Sequence, residues 1–293
     1  MSMANQLLAW IRTKLSGRAP AVRHYATAEQ VRSKIEKWKS NAYALLANEA
    51  NWRLVRESLG RLEEAGLRIN PELDRDLIVV RFLRTFANWV EGDDLATFFS
   101  EQKTRVARNS FDLLVLDDLA GESDAFYDFD DIDVVLPKLS TVSEEDLNNA
   151  ITTHSRSIFE NAYTICIVNE HGPGEYVPQH VRELEALACG DFAVQSVTET
   201  AAPHLLIGRV TLGDGPYASF EIGDEKRPDL TPFLSAMNSL IAHLHKGRFV
   251  AVVSGNSEGF IVLYLRPHEQ IAFRDWSERQ RFADGSIPGD WLE

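Results

Sequence analysis

The sequence predicts an α+β protein: an all-helical N-terminal region over 1–110, then a mixed α/β region with antiparallel hairpins over 111–293. Three observations predict it. Apolar residues recur at spacings of three and four as far as about Ala107, short apolar runs bounded by Gly, Pro and Asp replace them from Phe111, and two pairs of these runs are joined by short Gly-bearing loops. Charge divides at the same place. Residues 1–110 carry 18 basic and 13 acidic groups, net +5, and residues 111–293 carry 12 and 31, net −19, which sum to the −14 of the whole chain.

Each element has its own signal. Leu7, Leu8, Ile11 and Leu15 give a first amphipathic helix, and Thr27 with Gln30 opens a second that runs to about Asn48. Trp52, Val55, Leu59 and Leu62 define a third helix, stopped by Gly66. Asn70 and Pro71 read as the N-cap and first turn of a fourth, with Leu73, Leu77, Val80, Leu83, Ala87 and Val90 on one stripe. Asp93 or Asp94 caps a fifth. Beyond Phe111 the β-rich runs are FDLLVL, YTICIV, FAVQSV, HLLIGRVTL, YASFEI, RFVAVV and FIVLYL. Between them, helices are predicted from Ser143 to about Asn161, from Pro178 to Cys189 and from Asp229 to Lys246, and Pro267 starts a last one.

Charge and composition bound the function. An acidic body is repelled by phosphate backbones and anionic lipid, so nucleic acid and membrane surfaces are disfavoured and cationic proteins are favoured as partners. No apolar run approaches the ~20 residues that span a bilayer. The opening MSMANQLLAWIRTKL lacks the charge and cleavage pattern of a signal peptide, so a cytoplasmic address is expected. Cys166 and Cys189, both in apolar contexts, read as buried, reduced thiols.

Candidate chemistry is sparse. Gly255-Asn256-Ser257-Glu258-Gly259 matches G-x-S-x-G, but a nucleophile elbow needs a strand-to-helix turn, and here one strand runs in and another runs out. Asp214 with Asp224-Glu225-Lys226 loosely fits the metal-holding set of many nucleases, and His171, Glu175 and His180 form the only local histidine cluster. The densest feature is acidic. Between Asp112 and Asp146 stand twelve carboxylates against Lys138, with Asp128-Phe129-Asp130-Asp131-Ile132-Asp133 at the centre. An EF-hand loop would need Gly at its sixth position and Glu at its twelfth, and both possible registers fail. Aromatics interleaved with carboxylates suit a protein interface, where buried rings anchor and charge speeds the approach of a cationic partner. The expected partner-binding residues are therefore Asp124, Phe126, Tyr127, Asp128, Asp130, Asp131, Asp133, Glu144 and Glu145. The one positive region is the N-terminal arm of Arg12, Lys14, Arg18, Arg23, Arg32, Lys34, Lys37 and Lys39, which suits docking on an acidic surface.

Residues 230–276 supply a resemblance. Their helix, glycine stop, hairpin and Pro-initiated helix, with Leu234, Asn238, Leu240, Gly247, Phe249, Pro267 and Glu269 at matching places, resemble the closing segment of many small bacterial immunity proteins. The resemblance implies an acidic, intracellular, non-enzymatic inhibitor that masks a toxin's active site. The expectation is thus a binding module of immunity or inhibitor type for a basic protein, with no cofactor. The alternative is a metal-dependent hydrolase or nuclease using the clustered carboxylates.

Overall fold

The computed structural model describes residues 28–87, 92–102, 110–120, 158–166, 176–202, 205–213, 215–223, 231–253 and 259–279. The chain divides into two compact units, Met1–Trp38 and Lys39–Glu293. Among the described residues the protein is α+β, with eight α-helices and two small antiparallel sheets, helices leading and strands following.

The helices of the front part are α1 (Ala28–Ala47), α2 (Glu49–Glu64), α3 (Arg75–Phe86), α4 (Leu95–Gln102) and α5 (Phe111–Ala120). The apolar stripe read for α2 is its buried face: Trp52, Val55, Leu59 and Leu62 are all inside. Asn48 separates α1 from α2 by accepting the Ala50 amide, and Asp94 caps α4 through the Thr97 amide. Buried Asn51 closes this corner. It donates to the carbonyls of Leu45 and Asp93 and accepts the Leu95 amide, so one side chain ties α1, α2 and the start of α4.

Two expectations are corrected here. The run FDLLVL is part of helix α5, not a strand. Its residues are buried on nearly every side, so the run is continuously apolar and its periodicity does not distinguish helix from strand. The fourth helix starts at Arg75 rather than at Asn70-Pro71. Ile69 is bridged to Phe159 and the Asn70 amide donates to Ile158, Asn70 then accepts the Glu72 and Leu73 amides in a turn, and only at Asp74, which accepts the Asp76 amide, does α3 open.

The later elements are β1 (Ala162–Cys166), α6 (Tyr176–Leu187), β2 (Val194–Ala202), β3 (Leu205–Leu212), β4 (Tyr217–Gly223), α7 (Thr231–Ile241), a 3-10 turn (Ala242–Leu244), β5 (Arg248–Val253), β6 (Gly259–Leu265) and α8 (Pro267–Ser277). One sheet has the order β1-β6-β5 and the other β2-β3-β4, all antiparallel. Helix α6 packs on β2, β1 and β6, and α7 packs on β4 and β5, so these two helices lie between the sheets. Val181, Leu184, Phe233 and Met237 from the helices share one core with Val210 and Phe220 from one sheet and Phe249 and Tyr264 from the other. The opposite face of β5 and β6, carrying Val250, Val252, Ile261 and Leu263, is buried as well. There α5 packs on β1 and α8 on β6. The central sheet is therefore covered on both sides, and its strands read as unbroken apolar runs for that reason.

Residues of the 230–276 resemblance build this framework. Asn238 exchanges hydrogen bonds with the backbone of Phe249, Gly247 leaves room for the Tyr264 ring, and Glu269 accepts the Arg266 amide at the start of α8. Cys189 departs from expectation. The chain turns through left-handed conformations at Cys189 and Gly190 after α6, which puts the thiol on the surface. Among the described residues no helix is long and apolar enough to cross a membrane.

The front helices and the sheet meet at Asn161, which is fully buried. Its side chain accepts the Arg68 amide at 2.7 Å and donates to the carbonyls of Gly66 and Tyr264 at 3.0 and 3.2 Å. Alongside, Arg68 grips both carboxylate oxygens of Glu269 on α8 at 2.7 and 3.0 Å. Gly66, at φ 98°, stands so close to that helix that a Cβ would meet the Glu269 Cβ at 2.9 Å. Asn161→Ala takes the partner from one buried and two half-buried backbone groups, so we expect a loss of roughly 3 kcal/mol in urea unfolding with an unchanged slope.

Candidate functional site

The acidic stretch singled out in the sequence grows from a fixed base. Its first carboxylate, Asp112, is buried on α5, where it accepts the Ser58 hydroxyl at 2.8 Å and the Arg61 guanidinium at 2.8–3.1 Å. Arg61 is held charged more firmly than usual by that hydrogen bond. Asp112 is thus a structural tie between α5 and α2 and leaves the set of carboxylates open to a partner. At the other end of α5 the last carbonyls are taken up from two sides. Fully buried Arg81 on α3 donates to Leu119 at 3.3 Å, and Thr164 on β1 donates to Ala120 at 2.8 Å. A guanidinium here also complements the negative end of the α5 dipole.

Asp118 lies next to this anchor. One of its carboxylate oxygens is buried without a hydrogen-bond partner, and desolvation pushes its pKa up to about 7, opposed by Arg81 and reinforced by Asp117. Burial lowers the pKa of Arg81 in turn. The residues on either side of 121–157 are in the core: Ala120 ends α5, and Ile158 stands beside the Ile69–Phe159 bridge and Asn161.

The partner-binding residues expected from the sequence, Asp124, Phe126, Tyr127, Asp128, Asp130, Asp131, Asp133, Glu144 and Glu145, lie outside the described residues. So do Asp214, Asp224, Glu225 and Lys226 of the nuclease-like set and His171 and Glu175 of the histidine cluster. His180 is buried on α6, edge-on to Tyr176 with ring centroids 4.5 Å apart. Gly255, Asn256, Ser257 and Glu258 of the G-x-S-x-G stretch also lie outside the described residues, and the strands on either side of them, β5 and β6, pair antiparallel. Among the described residues no three His, Cys, Asp or Glu side chains come together as metal ligands would.

A surface that the sequence reading passed over is the outward face of the β2-β3-β4 sheet. Leu206, Gly208, Val210 and Leu212 of β3 face the core, and the Phe220 ring lies across Gly208, where a Cβ would stand 2.3 Å from it. The alternate positions face away from that core. Ile207 and Tyr217 stand on this face 37% and 60% exposed, two of the three large hydrophobic residues so exposed among those described. The Arg209 guanidinium lies 4.1 Å from the centre of the Tyr217 ring, a cation–π contact. A shallow hollow beside them is lined by Leu205, Ile207, Ser219, Phe220, Glu221 and Pro232. The alternation in GRVTL and YASFEI was the available signal for this face.

No protein-family model, curated protein or solved structure matches the chain.

The raised pKa of Asp118 has a defined consequence for stability. Between about pH 4 and pH 7 the folded chain holds a proton that the unfolded chain has released, so this carboxyl withdraws stability as pH rises through that window, by at most about 4 kcal/mol. Comparing urea midpoints from pH 4 to pH 8, we expect Asp118→Asn to flatten this fall. An unchanged slope would show that Asp118 ionises normally.

Proposed function

We propose that the protein is a cytoplasmic, non-enzymatic binding module of immunity or inhibitor type that docks a basic partner protein, a toxin or effector, through the carboxylates of residues 121–157. The observation that carries this reading is the concentration of charge on an anchored base. Residues 121–157 hold nine carboxylates against Lys138 and Arg156, net −7, which is half the net charge of the chain. The core holds the chain on both sides of this segment, at Ala120 through Thr164 and at Phe159 through Ile69. Like charge concentrated in one segment raises the rate at which a cationic partner is encountered, which is electrostatic steering. Phe126, Tyr127 and Phe129, set among Asp124, Asp128, Asp130, Asp131 and Asp133, supply the apolar anchors that give such a contact lifetime. Glu144 and Glu145 extend the same field.

The test uses a basic protein captured by the full chain. Raising salt from about 0.05 M to about 0.5 M is expected to slow association by roughly tenfold or more, because the Debye length falls below the separation of steering charges. Joint Asp128→Lys, Asp130→Lys and Asp131→Lys substitution is expected to lower the association rate by a similar factor while leaving thermal unfolding in place. Binding indifferent to both changes would remove the electrostatic mechanism.

A further inference from the structure

The outward face of the β2-β3-β4 sheet carries little charge for a surface of this protein. Its described positions are Ser196, Thr198, Thr200 and Ala202 on β2, Leu205, Ile207, Arg209 and Thr211 on β3, and Tyr217, Ser219 and Glu221 on β4. Two are charged, Arg209 and Glu221, and they cancel, whereas the whole chain stands at −14. Depletion of charge around exposed apolar side chains is the compositional mark of an interface core. Arg209 is exposed and occupied with Tyr217, Glu221 is exposed, and neither has a hydrogen-bond or ion-pair partner among the described residues.

Their placement is self-complementary. Arg209 pairs in register with Ser219 and Ile207 with Glu221, so the cation and the anion sit at opposite corners of one rectangle of the ladder. Strands about 4.8 Å apart and alternate residues about 6.6 Å apart along each strand make a rectangle whose diagonals cross within about 20° of a right angle. A twofold axis lying in the plane of contact and bisecting the line from Arg209 to Glu221 therefore runs close to the other two corners, Ile207 and Ser219. Such an axis sets Arg209 of one copy over Glu221 of the second, twice, and brings Ile207 against Ile207 between them. The result is an isologous contact with an apolar centre flanked by two ion pairs.

We propose that this face is a docking surface for a second copy of the chain. Three strands of about seven residues offer a footprint of about 330 Å² per copy, under half of the roughly 800 Å² per partner in a standard interface. The association is accordingly weak and concentration-dependent. It is also independent of the acidic segment, since none of the residues it uses lies within 121–157.

Sedimentation equilibrium of the full chain, from about 10 µM to about 1 mM, tests it. The expected result is a reversible monomer–dimer equilibrium. Arg209→Glu alone and Glu221→Arg alone each weaken it by about tenfold or more, and the double swap restores it, because opposite charges then face each other again across the axis. All three variants alter exposed side chains, so circular dichroism and thermal midpoint should match the parent. A chain that stays monomeric throughout, whether or not the face takes up another protein, overturns the proposal. A dimer that ignores the single swaps, or that the double swap fails to restore, overturns it too.

Discussion

The junction at Asn161 is the constraint on which the rest of the structure depends. The front helices and the β1-β6-β5 sheet come from distant parts of the chain, and one buried amide reaches both: it accepts from Arg68, donates to Gly66 and donates to Tyr264. The Tyr264 carbonyl would otherwise be buried without this partner, a cost of about 1–3 kcal/mol, and the half-buried Arg68 amide and Gly66 carbonyl would lose theirs as well. The carboxylate of Glu269 serves a second purpose at the same joint, capping its own helix while gripping Arg68. Gly66 is required there by both its positive φ and its nearness to α8.

This junction gives the charged and apolar surfaces their context. Because the central sheet is sealed by α5 and α8 on one face and by α6 and α7 on the other, Ala120 and Ile158, on either side of the acidic segment, belong to a covered core. The second sheet is different. It has α6 and α7 on one side only, and Ile207 and Tyr217 remain exposed on the other. The two contacts proposed for the acidic segment and for the nearly neutral sheet face are chemically distinct, one working by long-range attraction and one by close fit.

Much of the fold was legible in the sequence, for reasons that differ by element. The stripe Trp52, Val55, Leu59 and Leu62 has a helical period because one face of α2 is buried, and the β3-β4 hairpin shows alternation because one face of its sheet is open. FDLLVL misled because a helix buried nearly all round carries no period. Asn51 and Asn161, which close the two main joints, were invisible: an asparagine in sequence looks like a turn or a cap, and only the fold reveals a buried amide with several backbone partners. Of the site, the concentration of carboxylates was plain, but Asp112 turned out to serve the core through Arg61 and Ser58. The pairing of Arg209 with Tyr217 across adjacent strands depends on register, which composition does not encode.

The central claim is that the helices from α2 to α5 and the strands beyond them are one cooperative structure fastened at Asn161. Native-state hydrogen exchange of two amides tests it most directly: Arg68, which donates to the Asn161 side chain, and Tyr264, which donates to its carbonyl. If the account is right, both exchange only through global unfolding and report the same free energy. Exchange at Arg68 and along α2 through an opening several kcal/mol cheaper than at Tyr264 would mean that the helical part unfolds separately, and would contradict it.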